Sequence, residues 1–138
     1  MNFLIDTNVI SEIQKGSKAD SGVNKWFSEI SSDQIFLSVL VLGEIKQGVE
    51  RLRRRDPSQA AILENRINSI IKSMGGRILP VTINIALRWA ANNVPDRLPV
   101  IDGLLAATAL EHDLVFVTRN TRDVERTGVR VLNPFSES

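Results

Sequence analysis

Short apolar runs alternate along this chain with longer segments whose apolar residues recur every three or four positions. The short runs, bounded by polar residues, are typical of buried strands, and the periodic segments are typical of amphipathic helices. The pattern predicts five strands, at residues 2–5, 34–38, 77–81, 114–118 and 129–132. It predicts helices at residues 8–14, 23–30, 39–55, 58–73, 82–93 and 99–110, and a helical turn at 120–125.

Strands that alternate with helices predict a parallel or mostly parallel sheet with helices on both faces. Right-handed crossovers then place the loops that follow the strands along the carboxyl edge of the sheet, where ligands bind in such folds. No repeat or flexible linker divides the chain, so we expect one domain over residues 1–138. In the helix at 58–73 we expect Ile62, Ile67, Ile70 and Ile71 on the packed side.

Composition narrows the possible chemistry. The chain is 43% hydrophobic and 24% charged, as in an ordinary soluble protein, and no stretch is long and apolar enough to span a membrane. With no recognisable leader segment either, we expect a cytoplasmic protein. The absence of cysteine excludes disulfides and thiolate sites, and the only histidine, His112, is expected at a helix end. Carboxylates remain as the candidate reactive groups.

Four acidic residues lie just beyond apolar runs, where they contribute little to a core. Asp6 follows the first strand, Glu44 lies in the helix after the second, Asp102 lies in the first turn of a later helix, and Asp123 follows the fourth strand. Divalent cations such as Mg²⁺ and Mn²⁺ prefer carboxylate and water oxygens. Acids that meet at one sheet edge therefore predict a metal site for phosphate chemistry.

Each acid also has an ordinary structural explanation. Asp6 can cap a helix, although Thr7 or Asn8 could do so equally well and leave Asp6 pointing out of the sheet edge. Glu44 borders an apolar stripe, where either an arginine or a bound metal cation could compensate its negative charge. Asp102 complements a helix dipole, but its helical spacing also directs it toward the sheet, which favours a ligand.

Polar and basic residues near these acids are candidates for supporting roles. Ser38 and Thr118 end strands and could orient metal ligands or water, and Asn120 is a candidate helix cap. Two basic clusters could attract nucleic acid, although the first is also explained as a solvated helix end. They are Arg51, Arg53, Arg54 and Arg55, and Arg119, Arg122, Arg126 and Arg130.

These motifs together resemble the PIN domain, and within it the VapC- and FitB-type toxins of bacterial toxin–antitoxin pairs. The resemblance spans nearly the whole chain. It is carried by residues 3–12, by Gly43-Glu44-Ile45 with Gln47-Gly48, by residues 101–109, and by Thr118-Arg119-Asn120.

The resemblance implies a three-layer α/β/α sandwich acting as a Mg²⁺- or Mn²⁺-dependent endoribonuclease. Asp6, Glu44 and Asp102 match the family's acidic positions. Relatives often carry aspartate at the place of Asn120, so here either Asp123 supplies the fourth carboxylate, which we favour, or Asn120 assists a three-acid site. Supporting roles toward ligands or substrate are expected for Asn8, Ser38, Thr118, Arg119 and Asn120.

The same resemblance implies partners. They are an RNA substrate, a cognate antitoxin, operator DNA reached through that antitoxin, and a second copy of the chain in a homodimer. The helices at 39–55 and 58–73, with Trp26 and Phe27, are the expected partner surfaces.

Three other functions stay open at the level of sequence. One is a PIN-like module with little activity that works through its partner. A phospho-accepting receiver domain also clusters acids at a sheet edge, but this chain lacks the adjacent acid pair. A haloacid-dehalogenase-like phosphatase would need aspartate where this chain has Asn8.

Overall fold

The computed structural model describes residues 1–136, in which each strand is separated from the next by one or two α-helices. The strands are β1 (Phe3–Ile5), β2 (Ile35–Ser38), β3 (Ile78–Leu79), β4 (Val115–Val117) and β5 (Val131–Leu132). The helices are α1 (Thr7–Ile13), α2 (Ser21–Ser28), α3 (Val39–Arg53), α4 (Pro57–Met74), α5 (Ile83–Asn92), α6 (Val100–His112) and α7 (Thr121–Val124). Each lies where the hydrophobic pattern predicts it, with most ends shifted by one to three residues.

The five strands form one sheet in the order β3-β2-β1-β4-β5, and all four strand pairings are parallel. Helix α1 contacts both α2 and α3, and α3 contacts α4, while α6 contacts both α5 and α7, which gives a helical layer on each face. This confirms the predicted α/β/α sandwich. Strands β2 and β3 follow β1 on one side of the sheet, whereas β4 and β5 lie on the other side of β1. The strand order therefore switches direction between β1 and β4, and ligands of such folds bind in the crevice beyond the carboxyl ends of these two strands.

The core is centred on β1 and β4, which are buried along their whole length because helices cover both faces. Phe116 and Leu4 are among its largest fully buried side chains. On α6, the run from Leu105 to Ala109 is buried as well, and its small residues let this helix lie close to the sheet.

One prediction about α4 is wrong. Ile67 is buried and Ile70 is partly buried as expected, but Ile62 and Ile71 are 46% and 41% exposed. Helix α4 packs mainly against α3, in a contact that also contains Ala60. This contact does not cover every apolar residue of α4, so Ile62 and Ile71 remain exposed.

Among the helices of residues 1–136, none combines the length and the apolar character that crossing a membrane requires.

Candidate active site

Asp6 leaves β1 directly and is 4% exposed, so its carboxylate is fixed by the protein around it. Its backbone N–H donates to the carbonyl oxygen of Val117 at 2.9 Å, which continues the β1–β4 ladder by one residue. Its Oδ1 accepts from the backbone N–H of Thr7 at 2.8 Å, and its Oδ2 accepts from the hydroxyl of Thr118 at 2.7 Å. Asp6 therefore caps α1 itself; the idea that Thr7 or Asn8 does so is wrong. Capping uses one oxygen, while the second faces β4.

The polar residues around Asp6 connect the two central strands. Thr118 is buried, and its hydroxyl donates to Asp6 while accepting from the backbone N–H of Asn120 at 3.0 Å. Asn8 approaches the same carboxylate with its Nδ2, 3.4 Å from Oδ2, and its Oδ1 lies 3.4 Å from the backbone nitrogen of Arg119. Thr118 thus orients the Asp6 carboxylate and, at the same time, the loop that follows β4.

Glu44 approaches Asp6 from α3. The hydroxyl of Thr7 donates to Glu44 Oε1 at 2.5 Å and so ties the start of α1 to this carboxylate. No ion pair within the described residues 1–136 includes Glu44. The structure therefore does not show the compensating arginine that sequence reasoning left open.

Asp102 is the third residue of α6 and is half-buried at the same edge. Its pKa is raised to about 6, mainly by burial and then by the negative charges of Asp6, Asp123 and Glu44, in that order. A carboxyl responds in this way only when the other acids lie near it. The four acids, which come from four separate segments, therefore lie near enough to one another for the charges of three of them to act on Asp102.

Burial also raises the pKa of Asp6. Its hydrogen bonds from Thr118 and Thr7 act in the opposite direction, and the charge of Glu44 raises the pKa again. The site therefore concentrates negative charge that the surrounding protein only partly compensates. A cation would relieve this repulsion, which makes the cluster a candidate functional site.

The donor set fits a hard divalent cation because all four acids offer carboxylate oxygens. Asp6 retains acceptor capacity despite the three hydrogen bonds that its carboxylate accepts, since an ionised carboxylate has about four lone-pair positions. As the side chains stand, however, no three His, Cys, Asp or Glu residues within 1–136 form a group that could hold a metal ion. The side chains would have to rearrange to close such a group.

The other predicted residues have distinct positions. Asp123 lies exposed in the first turn of α7, and Asn120 occupies the N-cap position of that helix without a capping hydrogen bond from its side chain. Ser38 is buried and caps α3, because its hydroxyl accepts from the backbone N–H of Leu40 at 3.1 Å. His112 is the last residue of α6, as predicted.

Sequence reasoning missed two contacts at this site. Thr7 was considered only as a possible helix cap, whereas its hydroxyl donates a hydrogen bond to Glu44. Trp89 of α5 lies against Gly103, where an added Cβ would come within 3.1 Å of the indole ring. Gly103 follows Asp102 in sequence, so its presence in the motif was the available signal of such a close approach.

Comparison with known proteins agrees with this geometry. The model of the PIN domain family matches residues 3–129, and the chain therefore belongs to that family. Toxin FitB of Neisseria gonorrhoeae is 31% identical over 98% of this chain and 99% of its own length. VapC ribonuclease Y4jK of Sinorhizobium fredii is 28% identical over 96% of this chain and 97% of its own length.

A solved structure, that of FitAB bound to an IR36 DNA fragment, superposes with a TM-score of 0.86. The matched chain is 30% identical and the superposition covers 99% of this chain and 97% of that one. The resemblance to VapC- and FitB-type toxins is thereby confirmed. Because the chain belongs to the PIN domain family, the alternatives of a receiver domain and of a dehalogenase-like phosphatase are excluded.

Proposed function

We propose that this protein is a metal-dependent endoribonuclease and the toxin of a toxin–antitoxin pair. One observation carries the proposal: four carboxylates from separate segments lie close enough for three of them to raise the pKa of the fourth, Asp102. The similarity to a VapC ribonuclease and to toxin FitB supports RNA as the substrate and a toxin as the biological role.

Asp6, Glu44, Asp102 and Asp123 would hold Mg²⁺, or Mn²⁺ in its place, at the carboxyl edge of the sheet. When bound, such a cation supplies charge stabilisation to the phosphate and makes water a better nucleophile. Thr118 and Thr7 fix the rotamers of Asp6 and Glu44, so two ligands are oriented before substrate arrives. In-line attack of water on phosphorus, with the 3′-oxygen as leaving group, gives a 5′-phosphate and a 3′-hydroxyl.

The test is cleavage of a small-RNA pool by the purified protein free of antitoxin, in Mg²⁺, Mn²⁺ or EDTA. Discrete cuts are expected in either metal and none in EDTA, and end-labelling should show 5′-phosphate and 3′-hydroxyl products. A 2′,3′-cyclic phosphate would contradict the proposal, because it requires attack by the RNA 2′-hydroxyl and no activated water. Cleavage that continues in EDTA would contradict the metal requirement.

Asp123 and Asn120 can be distinguished by parallel substitutions. We expect Asp123→Asn to lower kcat/KM by more than about 10-fold, because its charge already acts on Asp102. Asn120→Ala should cost much less, since the hydrogen bond recorded for this residue is made by its backbone N–H to Thr118. Steady-state cleavage of one identified RNA measures both. A larger loss in Asn120→Ala would instead assign the fourth position to Asn120.

The proposed antitoxin partner has a suitable groove beside the site. A cavity of about 390 Å³ lies between α1, α3 and α4 and is lined mainly by apolar side chains. Glu44 and Thr7 lie at one part of its wall, and Arg55 and Arg66 at another. An extended partner segment with apolar side chains would fill the groove and approach the acids from α3 and α4, where the sequence predicts a partner surface.

A second copy of the chain is the proposed partner of α5. Ile83 and Leu87 are 79% and 65% exposed, and their spacing of four residues places them on one side of the helix; Val94, 72% exposed, lies just beyond its end. An antiparallel pairing of two α5 helices would cover this stripe with its own copy, as a two-fold interface requires. In such an assembly operator DNA would be bound through the antitoxin, and the similarity to the chain in the FitAB complex with a DNA fragment supports this arrangement.

One observation favours the second candidate, a PIN-fold module with weak or no activity. The acids within 1–136 do not form a ready-made metal group, so catalysis depends on their rearrangement. Growth that is unaffected by expression of the protein, together with tight binding of the antitoxin, would support this candidate. Growth arrest that requires the acids would support the nuclease.

A further inference from the structure

The groove between α1, α3 and α4 carries both negative and positive charge in its wall. Glu44 contributes a carboxylate, while Arg55 and Arg66, here called the basic pair, contribute two guanidinium groups. Glu44 and Arg55 are eleven residues apart in sequence, which at the rise of an α-helix is about 16 Å. An extended chain covers this distance with about five residues. A partner that follows the groove therefore meets Glu44 and Arg55 with different parts of its sequence.

The basic pair is not neutralised by the protein. Within residues 1–136, neither of its guanidinium groups takes part in an ion pair or a side-chain hydrogen bond. In contrast, Lys46 and Arg53 of the α3–α4 hairpin both pair with Glu50 and Glu64. Hydrogen bonds from Arg53 and Lys46 lower the pKa of Glu50 to about 2. Both glutamates are therefore already paired, and the basic pair remains available to a partner.

The rest of the wall favours a polypeptide over RNA as the occupant. Its apolar side chains are all aliphatic: Ile10, Ile45, Val49, Leu52, Leu63, Ile67 and Ile70. Among the described residues that line the groove none is aromatic, so RNA bases would find no ring on which to stack. Gly48 leaves open space at this wall, since an added Cβ would have no neighbouring heavy atom within 4 Å. Apolar peptide side chains fit such a wall, but covering the basic pair with them is unfavourable unless the peptide also brings carboxylates.

We propose that the antitoxin segment in this groove carries acidic side chains that pair with Arg55 and Arg66, and that these two arginines select the partner. This inference rests on the proposed toxin role, in which a partner segment fills the groove. Opposite charges across an interface speed association and exclude partners of like charge. Arginine suits this role because its guanidinium can bind a carboxylate through two parallel hydrogen bonds. The basic cluster at the end of α3 then has two functions, since Arg53 pairs within the hairpin and Arg55 faces the partner.

The first experiment selects a phage-displayed library of random peptides, long enough to span the groove, on three forms of the protein in Mg²⁺. They are the wild type, Arg55→Glu/Arg66→Glu, and the control Arg51→Glu/Arg54→Glu, which changes the net charge equally. Arg51 and Arg54 are exposed on the same hairpin but do not line the groove. The wild type and the control should enrich peptides that combine apolar and acidic residues. The groove variant should enrich basic residues in place of the acidic ones, because its groove carries the opposite charge.

A peptide from the wild-type selection, labelled with fluorescein, then reports affinity by anisotropy. Arg66→Glu should weaken its binding by more than about 10-fold, because the reversed charge faces a peptide carboxylate. Gly48→Leu tests the location, since its side chain enters the open space of the groove and should weaken binding as well. Leucine forms helices better than glycine, so this variant is expected to fold, and thermal unfolding checks that it does. Gln47→Leu is the control, because Gln47 is exposed on α3 outside the groove and its replacement should leave the affinity unchanged.

Three results would overturn the inference: enrichment of peptides without acidic residues, enrichment of no peptide, or equal losses of affinity in groove and control variants. Single-stranded RNA that binds through the basic pair and displaces the peptide would also overturn it, by assigning the groove to RNA. A wild type that cuts RNA in Mg²⁺ but shows no acidic preference overturns this inference alone. A wild type that selects acidic peptides through the basic pair but cuts no RNA supports the inference and overturns the proposed nuclease instead.

Discussion

Asp102→Asn is expected to abolish RNA cleavage while making the folded protein more stable near neutral pH. The loss should exceed the roughly 10–100-fold cost typical of groups that only support a metal ligand, because Asp102 is itself a proposed ligand. The gain in stability has a different origin. Burial and three neighbouring acids raise the pKa of Asp102 to about 6, so its ionised form is disfavoured in the folded state. Asparagine removes that charge and keeps the size of the side chain.

The pH dependence of this gain follows from linkage. The pKa of Asp102 in the unfolded chain is close to 3.8, below its folded value of about 6. Below pH 4, roughly, the group is neutral in both states and the variant should match the wild type. As pH rises through about 6, the wild type loses stability from this group, so the advantage of Asp102→Asn should appear between these limits. After discounting for solvent screening of a half-exposed group, we expect about 1 kcal/mol, or a rise in Tm of roughly 2–6 °C.

Asp113→Asn is the control for this prediction. Asp113 ends α6 with a φ of 55°, a conformation that asparagine tolerates well, and its exposed pair with Arg130 contributes little to stability. Cleavage should be unchanged and Tm nearly so. Thermal unfolding from acid to neutral pH, without divalent metal, measures both variants. A gain in Asp102→Asn that is equally large at low pH, or full cleavage by this variant, would contradict the assignment of Asp102 to a charge-crowded metal site.

The strand and helix order was predictable because it depends on local hydrophobic periodicity, which parallel α/β folds express strongly. The direction of Asp102 was predictable too. On a helix that begins near Pro99, it lies on the same side as Leu105 and Ala109, and both of these are buried against the sheet. The edge at which the acids meet follows from the handedness of crossovers, which a single sequence already implies.

The contacts that complete the site were not predictable, because each depends on which elements become neighbours. Nothing near Thr7 in sequence indicates a hydrogen bond to Glu44, and nothing near Arg119 indicates that Phe135 lies beneath it. The exposure of Ile62 has the same cause, since periodicity identifies an apolar face but not how much of it a neighbouring helix covers.

Asp6→Asn and Asp6→Ala are both expected to lose cleavage, by more than about 100-fold, yet to differ in stability. Alanine removes the cap of α1, worth about 1 kcal/mol, and the acceptor of the buried Thr118 hydroxyl, worth about 1–3 kcal/mol. Asparagine can still accept from Thr7, and its amide can donate to the Thr118 hydroxyl. Burial raises the pKa of Asp6, so removal of its charge offsets part of any remaining cost. Urea unfolding near neutral pH should therefore rank alanine well below asparagine, and equal stability of the two would contradict the capping role.

The asparagine variant also measures the proximity of the acids directly. Because the charge of Asp6 helps to raise the pKa of Asp102, Asp102→Asn should stabilise the protein less in the Asp6→Asn background than in the wild type. The coupling free energy in this double-mutant cycle should be on the order of 0.5 kcal/mol in metal-free, low-salt buffer, and it should shrink as salt screens the charges. If the stability changes of the two single variants add up to that of the double variant within about 0.3 kcal/mol, the two carboxylates do not interact. It would then remove the main structural argument for a metal site, even if each substitution alone stopped cleavage.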